Sequence, residues 1–183
     1  MIWFHPSQTI KYLISHKYKI TTTALAIGYG IVYNLPGLFP VSDEFDISLF
    51  MALVILLVFG AIFGLISIYI RSWILKVLGK FFALSAHSTN IRIGIVWSQW
   101  PIIIGSLLSF TIIEIEHYFQ LTSTVSTTVV NAIDLTSWIW MLALLVPALS
   151  VVFKAEKSKV FALLFFYIAL VELPLNCARL LFL

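Results

Sequence analysis

The stretch ISLFMALVILLVFGAIFGLISIYI, residues 47–70, contains no charged side chain and decides the fold class. A helix that crosses a bilayer needs about 20 mostly apolar residues, and this stretch is long enough. The whole chain has the same character, since 61% of its 183 residues are hydrophobic and 10% are charged. Soluble domains contain about 25% charged residues. Too few polar groups remain to cover a water-facing surface, so we predict an all-α membrane protein.

Five stretches are apolar enough to span a membrane, and no linker divides them, so we predict a single transmembrane domain. The predicted spans lie near residues 20–39, 47–70, 91–113, 135–153 and 158–182. The first is interrupted by Asn34, Pro36 and Gly37 and should end early or bend. Residues 1–19 are expected to form an interfacial segment, in which Pro6 suits the first turn of a short amphipathic helix.

The basic residues predict the orientation of the chain. Of the 11 Lys and Arg residues, all but Arg179 precede the first predicted span or lie in the second and fourth connections. The positive-inside rule then places the N-terminus in the cytoplasm and the C-terminus outside.

Many of these cations are expected to meet lipid headgroups, although they could also be ordinary anchors without a specific partner. The stretch RSWILKVLGK, residues 71–80, is expected to continue the second span beyond the hydrocarbon. The predicted headgroup contacts are Lys11, Lys17, Lys19, Arg71, Lys76, Lys80, Lys154, Lys157 and Lys159.

Small residues recur at helical spacing in the second and third predicted spans. Gly60 and Gly64 lie four apart in one span, and Gly94 with Ser98, then Gly105, follow in the next. Small residues at this spacing let two helix backbones approach closely. They predict helix packing inside the chain or, alternatively, a homo-oligomer formed through the same faces.

The stretch IRIGIVWSQWPIIIG, residues 91–105, predicts an interruption in the third span. Pro101 has no backbone N–H and frees the carbonyl of Trp97. Ser98 and Gln99 lie near that turn and could satisfy the freed carbonyl. We expect this run to face protein rather than lipid.

Glu172 is an acidic residue well inside a predicted span, where an unpaired charge is costly. At a rise of about 1.5 Å per residue, it lies about 21 Å from the cytoplasmic end of its helix, at a depth similar to Asn34 and Ser106. Gln99 is nearer the cytoplasm, at about 12 Å. We predict a polar cluster of these side chains, serving either as a proton-linked or ligand-binding site or as a packing contact, for instance an ion pair with Arg179.

Signatures of other functional classes are absent from the sequence. No motif for nucleotide binding, serine hydrolysis or zinc proteolysis occurs, and the lone Cys177 cannot form a thiolate metal site. The small formal charge of +3 does not indicate nucleic-acid binding. We expect neither a catalytic site nor a metal or cofactor.

The chain resembles the Yip domain family, five-span membrane proteins first known as interactors of Ypt/Rab GTPases. The opening WFHPSQTIKYLI is similar to that of prokaryotic members, and FGAIFGLISIYIRSWILKVLGKFF is similar to their second span and basic connection. The run IRIGIVWSQWPIIIGSLL resembles the start of their third span. The chain departs from the family at residues 83–90, where ALSAHSTN replaces a glycine-containing stretch.

The resemblance implies an integral membrane protein without a known catalytic residue set. Eukaryotic relatives bind Rab-type GTPases through an acidic N-terminal region, whereas the residues that precede the first predicted span here are basic. Rab-type binding is therefore not expected, and a bacterial cell membrane is the expected location. The predicted role is membrane organisation through lipid or a protein partner, and the alternative is a small transporter that uses the Glu172 cluster.

Overall fold

The computed structural model describes residues 5–16, 19–35, 48–119 and 124–174, and every regular element in these ranges is helical. The predicted all-α class is confirmed for this part of the chain. The elements are α1 (Pro6–Ser15), α2 (Lys19–Asn34), α3 (Leu49–Phe81), α4 (Ser88–Ser98), α5 (Trp100–Phe119), α6 (Thr124–Phe153) and α7 (Lys157–Tyr167), which continues as a π-helical turn over Ile168–Glu172.

Three helical segments of the described chain are long and apolar enough to cross a membrane. They are Leu49–Phe81, Ser88–Glu116 and Thr127–Phe153, and they correspond to the second, third and fourth predicted spans. Helix α2 has 16 residues and α7 has 11 before its π-turn, which is shorter than a complete crossing needs. The remaining parts of the first and fifth predicted spans lie outside the described residues.

Helix α3 is the longest element, with 33 residues and therefore a length of about 50 Å. It begins at Ser48, whose side-chain oxygen accepts a hydrogen bond from the Met51 N–H at 3.3 Å. It continues through the basic stretch 71–80, as the sequence predicts, and ends where Ala83 takes a left-handed φ of 54°. The helix therefore does not end at its first charged residue, Arg71, but continues for ten residues beyond it.

The third predicted span is interrupted at Gln99, between α4 and α5, where the sequence predicts a break. Pro101 follows in the first turn of α5 and is fully buried, as is Ser98. The Ser98 hydroxyl donates to the Gly94 carbonyl at 2.7 Å rather than to that of Trp97. The break therefore faces protein on both sides.

Helices α4 and α6 form the centre of the core. The buried residues of α4 are Ile91, Ile93, Gly94, Ile95, Val96 and Ser98. A Cβ atom added to Gly94 would lie 3.3 Å from Leu149 of α6, so the two helices pack closely there. Because lipid tails are as apolar as these side chains, close packing rather than exclusion from water stabilises this contact.

Helices α2 and α3 cross at backbone contact through three glycines. A Cβ on Gly60 would lie 2.9 Å from the Ile31 Cα, and one on Gly64 would lie 2.9 Å from the Gly30 Cα. No larger residue fits these positions without a backbone shift. The faces of Gly60 and Gly64 are thus occupied within the chain.

A second small-residue contact joins α5 to α6. A Cβ on Gly105 would collide with the Ser137 side chain. One turn further along α5, the Ser109 hydroxyl donates to the Asp134 carboxylate at 3.0 Å. Glycine packing and a hydrogen bond therefore hold these helices together.

The amphipathic helix α1 begins at Pro6, as predicted, and turns its apolar face toward the bundle. Ile10 is fully buried and Leu13 is 5% exposed, whereas Lys11 is exposed. The helix contacts α4 and α6. Its apolar side is therefore covered by protein.

Candidate functional site

An ion pair joins α3 to the end of α7 inside the bundle. The Arg71 Nε atom lies 3.4 Å from the Glu172 Oε1 atom, and the two side chains are 26% and 21% exposed. The Tyr167 hydroxyl donates to the same carboxylate oxygen at 2.6 Å. The Tyr29 phenol of α2 lies near the Arg71 guanidinium. Side chains of three helices thus form one polar cluster.

The local structure of α7 presents both of its polar groups to this cluster. Tyr167 and Glu172 lie at the two sides of the π-helical turn, and the N–H of Leu173 donates to the Ile168 carbonyl five residues back. Pro174 follows, and its ring cannot donate to the carbonyl of Leu170. The turn that precedes the proline is widened. Widened turns are known to accommodate a missing backbone hydrogen bond of this kind.

Mutual pairing makes the charges of Arg71 and Glu172 tolerable inside the bundle. A charge removed from water is costly, and an opposite charge with additional hydrogen bonds offsets that cost. The Tyr167 hydroxyl supplies such a bond to the carboxylate. The arrangement is typical of an ion pair that stabilises the packing of α3 against α7.

A small cleft of about 40 Å³ adjoins the ion pair. Gln99 lines it and is 2% exposed. A buried water needs about 10–15 Å³ of such space and polar partners. The cleft therefore has room for a few water molecules between Gln99 and the Arg71–Glu172 pair. Its other lining residues are Leu75, Ile95, Trp138, Met141, Leu142, Leu145, Leu164, Tyr167 and Ile168.

The described contacts of Glu172 differ from the predicted cluster. Asn34 donates through its side-chain amide to the Gly30 carbonyl of its own helix, at 2.6 Å. Ser106 is buried on α5, and neither residue lines the cleft. Gln99 does lie beside Glu172. Arg179, the predicted ion-pair partner, lies outside the described residues.

Arg71 pairs with Glu172, whereas the sequence predicts a contact with lipid headgroups. Helix α3 continues past Arg71 to Phe81, as the sequence predicts. Arg71 thus lies about 15 Å inside the helix end, level with the carboxylate on α7. A signal for this pair was present in the sequence, since a lone acid within a span needs a cation from a neighbouring helix.

The lysines predicted at headgroups lie on the surface wherever the structure describes their side chains. The exposed ones are Lys11, Lys76, Lys80, Lys154, Lys157 and Lys159. Lys17 and the Lys19 side chain lie outside the described residues. Among the described residues, no group of three His, Cys, Asp or Glu side chains could hold a metal ion.

A second polar pocket, not predicted from the sequence, opens between α2, α3 and α4. It has a volume of about 250 Å³. The Arg92 guanidinium carbon lies 4.4 Å from the centre of the Tyr69 ring at this pocket. In the sequence, Arg92 is one of the basic residues that indicate the orientation of the chain. Its spacing from other polar residues does not predict a pocket.

The comparison with protein families gives one result that covers most of the chain. The model of the Yip1 domain matches residues 1–175, which include every helix described above. Searches among curated proteins and among solved structures returned no match. The predicted resemblance is thereby confirmed, and the chain belongs to the Yip1 domain family.

Proposed function

We propose that this chain is a non-enzymatic integral membrane protein that organises the surrounding bilayer by binding lipid. In this proposal it crosses the cell membrane five times, with its N-terminus in the cytoplasm and its C-terminus outside. The positive-inside distribution of Lys and Arg supports that orientation. Membership in the Yip1 domain family agrees with a membrane role.

The exposed apolar surface of α3 carries the proposal. Only 17% of the residues in its most apolar stretch are buried, and Phe50, Phe59 and Trp73 are each more than half exposed. Such a long apolar surface is unfavourable in water and favourable against lipid tails. It gives α3 a lipid-facing role along most of its length.

A basic rim continues from this apolar surface. Lys76 and Lys80 are exposed near the end of α3. Lys154, which follows α6, is also exposed, as are Lys157 and Lys159 in the first turn of α7. Each cation near an anionic leaflet contributes about 1 kcal/mol of attraction. The rim supports a preference for anionic lipids at the cytoplasmic side.

The geometry at Glu172 favours this role over transport. Its carboxylate is engaged by Arg71 and Tyr167, and the adjoining cleft of about 40 Å³ is too small for a solute larger than a few waters. A transporter would need a larger path to the acid. The ion pair therefore fits helix packing.

Reconstitution with spin-labelled lipids tests the proposal. We expect the full chain in mixed phosphatidylcholine and phosphatidylglycerol vesicles to immobilise a lipid fraction enriched in the anionic lipid. The double variant Lys76→Gln/Lys80→Gln should lower that enrichment, whereas Glu114→Gln, an exposed change at the other end of the bundle, should not.

An unenriched lipid shell, or a specific solute flux abolished by Glu172→Gln, would contradict the proposal. The orientation is checked separately with a Lys11→Cys variant in a Cys177→Ser background. An impermeant thiol reagent should leave it unlabelled in intact cells, and labelling would overturn the topology.

A further inference from the structure

The pocket beside Arg92 is divided into a polar end and an apolar wall. It lies between the first turns of α2 and α4 and the middle of α3. The polar lining residues are Thr22, Thr23, Tyr69, Thr89 and Arg92, and the apolar ones are Ala26, Leu65, Ile68, Ile93 and Val96. A ligand that fills it must therefore combine a polar group with a hydrocarbon portion.

Arg92 contacts only neutral groups in the described chain. Its Nε atom donates to the Ser88 carbonyl at 3.4 Å, and its Nη2 atom donates to the Thr89 hydroxyl at 3.2 Å. The guanidinium also lies over the Tyr69 ring. No described carboxylate forms a salt bridge with it, whereas Arg71 has Glu172. A half-buried guanidinium retains unused donors and its full charge for an anion.

The pocket lies on the side of the bundle that the positive-inside rule places toward the cytoplasm. Thr22, Thr89 and Arg92 lie in or next to the first turn of their helices, at the ends that the positive-inside rule places toward the cytoplasm. The N-terminal end of α4 adds the positive end of its helix dipole at the same place. Basic pockets between helices on this side suit lipid headgroups.

We propose that this pocket binds one anionic phospholipid, with its phosphate at Arg92 and its acyl chain along the apolar wall. The inference rests on the proposed lipid-binding role and names a specific site for it. An inorganic anion would leave the apolar wall formed by α2, α3 and α4 unused. The amine of a zwitterionic headgroup would find no carboxylate among the lining residues. Phosphatidylglycerol is an anionic lipid that has no amine. It offers a phosphate to Arg92 and an acyl chain to the apolar wall.

Lipid retention by the purified full chain tests the site. The protein in detergent is given phosphatidylglycerol, and the lipid bound after washing is counted by native mass spectrometry. Arg92→Gln should weaken binding by about tenfold or more, as expected for the loss of charge-assisted hydrogen bonds. The matched variant Ser85→Glu lowers the net charge by the same one unit at an exposed position between α3 and α4 and should retain the lipid.

Competition on the unmodified protein provides an independent arm that does not depend on a variant folding. Bound fluorescent phosphatidylglycerol should be displaced by unlabelled phosphatidylglycerol, but not by phosphatidylcholine or inorganic phosphate at the same concentration. Equal displacement by inorganic phosphate would identify a soluble-anion site and overturn the proposal. Equal losses in the Arg92→Gln and Ser85→Glu variants would overturn it too, because they indicate general charge attraction. Either result leaves the lipid shell measured by spin labels unaffected, so the two proposals fail separately.

Discussion

Arg71 and Arg92 both lie within the helical bundle, but their surroundings differ. Arg71 pairs with Glu172 beside a cleft of about 40 Å³. Arg92 has only neutral partners, among them Tyr69 and Thr89, beside a pocket of about 250 Å³. An arginine that finds its counterion in the fold stabilises helix packing, whereas one left with neutral partners keeps its attraction for an external anion. The difference separates a structural site from a binding site.

The largest expected effect comes from removing the internal counterion. Glu172→Ala leaves the Arg71 charge half-enclosed and unpaired, so we expect the free energy of unfolding to fall by about 3 kcal/mol. Denaturation in detergent micelles measures this change. A loss no larger than that of an exposed acid would break the comparison, because Arg71 would then need no internal partner.

Two control variants show whether the loss of stability comes from the unpaired charge of Arg71. Glu114→Ala removes an exposed carboxylate and should change stability by less than about 0.5 kcal/mol. Replacing both partners, as Arg71→Met with Glu172→Leu, should restore most of the stability lost in the single variant, since no uncompensated charge remains. A double variant as unstable as Glu172→Ala would indicate lost packing rather than lost charge pairing.

An intermediate effect on stability is expected at the crossing of α2 and α3, because α2 contributes residues to both the ion pair and the Arg92 pocket. Helix α2 supplies Tyr29 to the ion pair and Thr22 to the pocket, and it is held to α3 through Gly64. Gly64→Ala forces a Cβ against the α2 backbone and should cost about 2 kcal/mol in stability.

The matched control for this change lies on the same pair of helices. A Cβ on Gly28 meets nothing within 4 Å, so Gly28→Ala should be neutral or stabilise by up to about 1 kcal/mol. The variants are compared by thermal denaturation with lipid retention measured alongside. If Gly64→Ala matched Gly28→Ala, the close helix approach would be refuted.

The smallest effect on stability is expected at Arg92. Arg92→Gln removes hydrogen bonds to neutral groups from a half-buried position and should lower the free energy of unfolding by less than about 1 kcal/mol. The same substitution at Arg71 should cost about three times as much, since it leaves Glu172 unpaired. Equal losses in denaturation would remove the distinction between the two arginines.

Much of the fold was accessible from apolar patterning alone. The residue pattern around 47–70 predicts a long apolar helix, and Pro101 predicts the break at Gln99. Both signals are local, because they depend on the chemistry of consecutive residues. The close packing of small residues such as Gly60 follows from spacing in the same way.

The polar site was predicted only in part, for reasons of geometry. Glu172 stood out because its own helix is apolar, but its partner depends on which helix packs beside α7 and at what height. The pocket at Arg92 forms where three helices meet, and no run of consecutive residues predicts where they meet.

The π-helical turn of α7 makes the ion pair depend on backbone geometry as well as on composition. In a regular α-helix, residues five apart point about 140° away from each other, so the Tyr167 hydroxyl and the Glu172 carboxylate would diverge. The widened turn over Ile168–Glu172 brings them to one side and allows the 2.6 Å hydrogen bond. A regular α-helical turn over the same residues would keep every polar group yet rotate the acid away from Arg71. The widened turn therefore governs whether α3 and α7 are joined electrostatically.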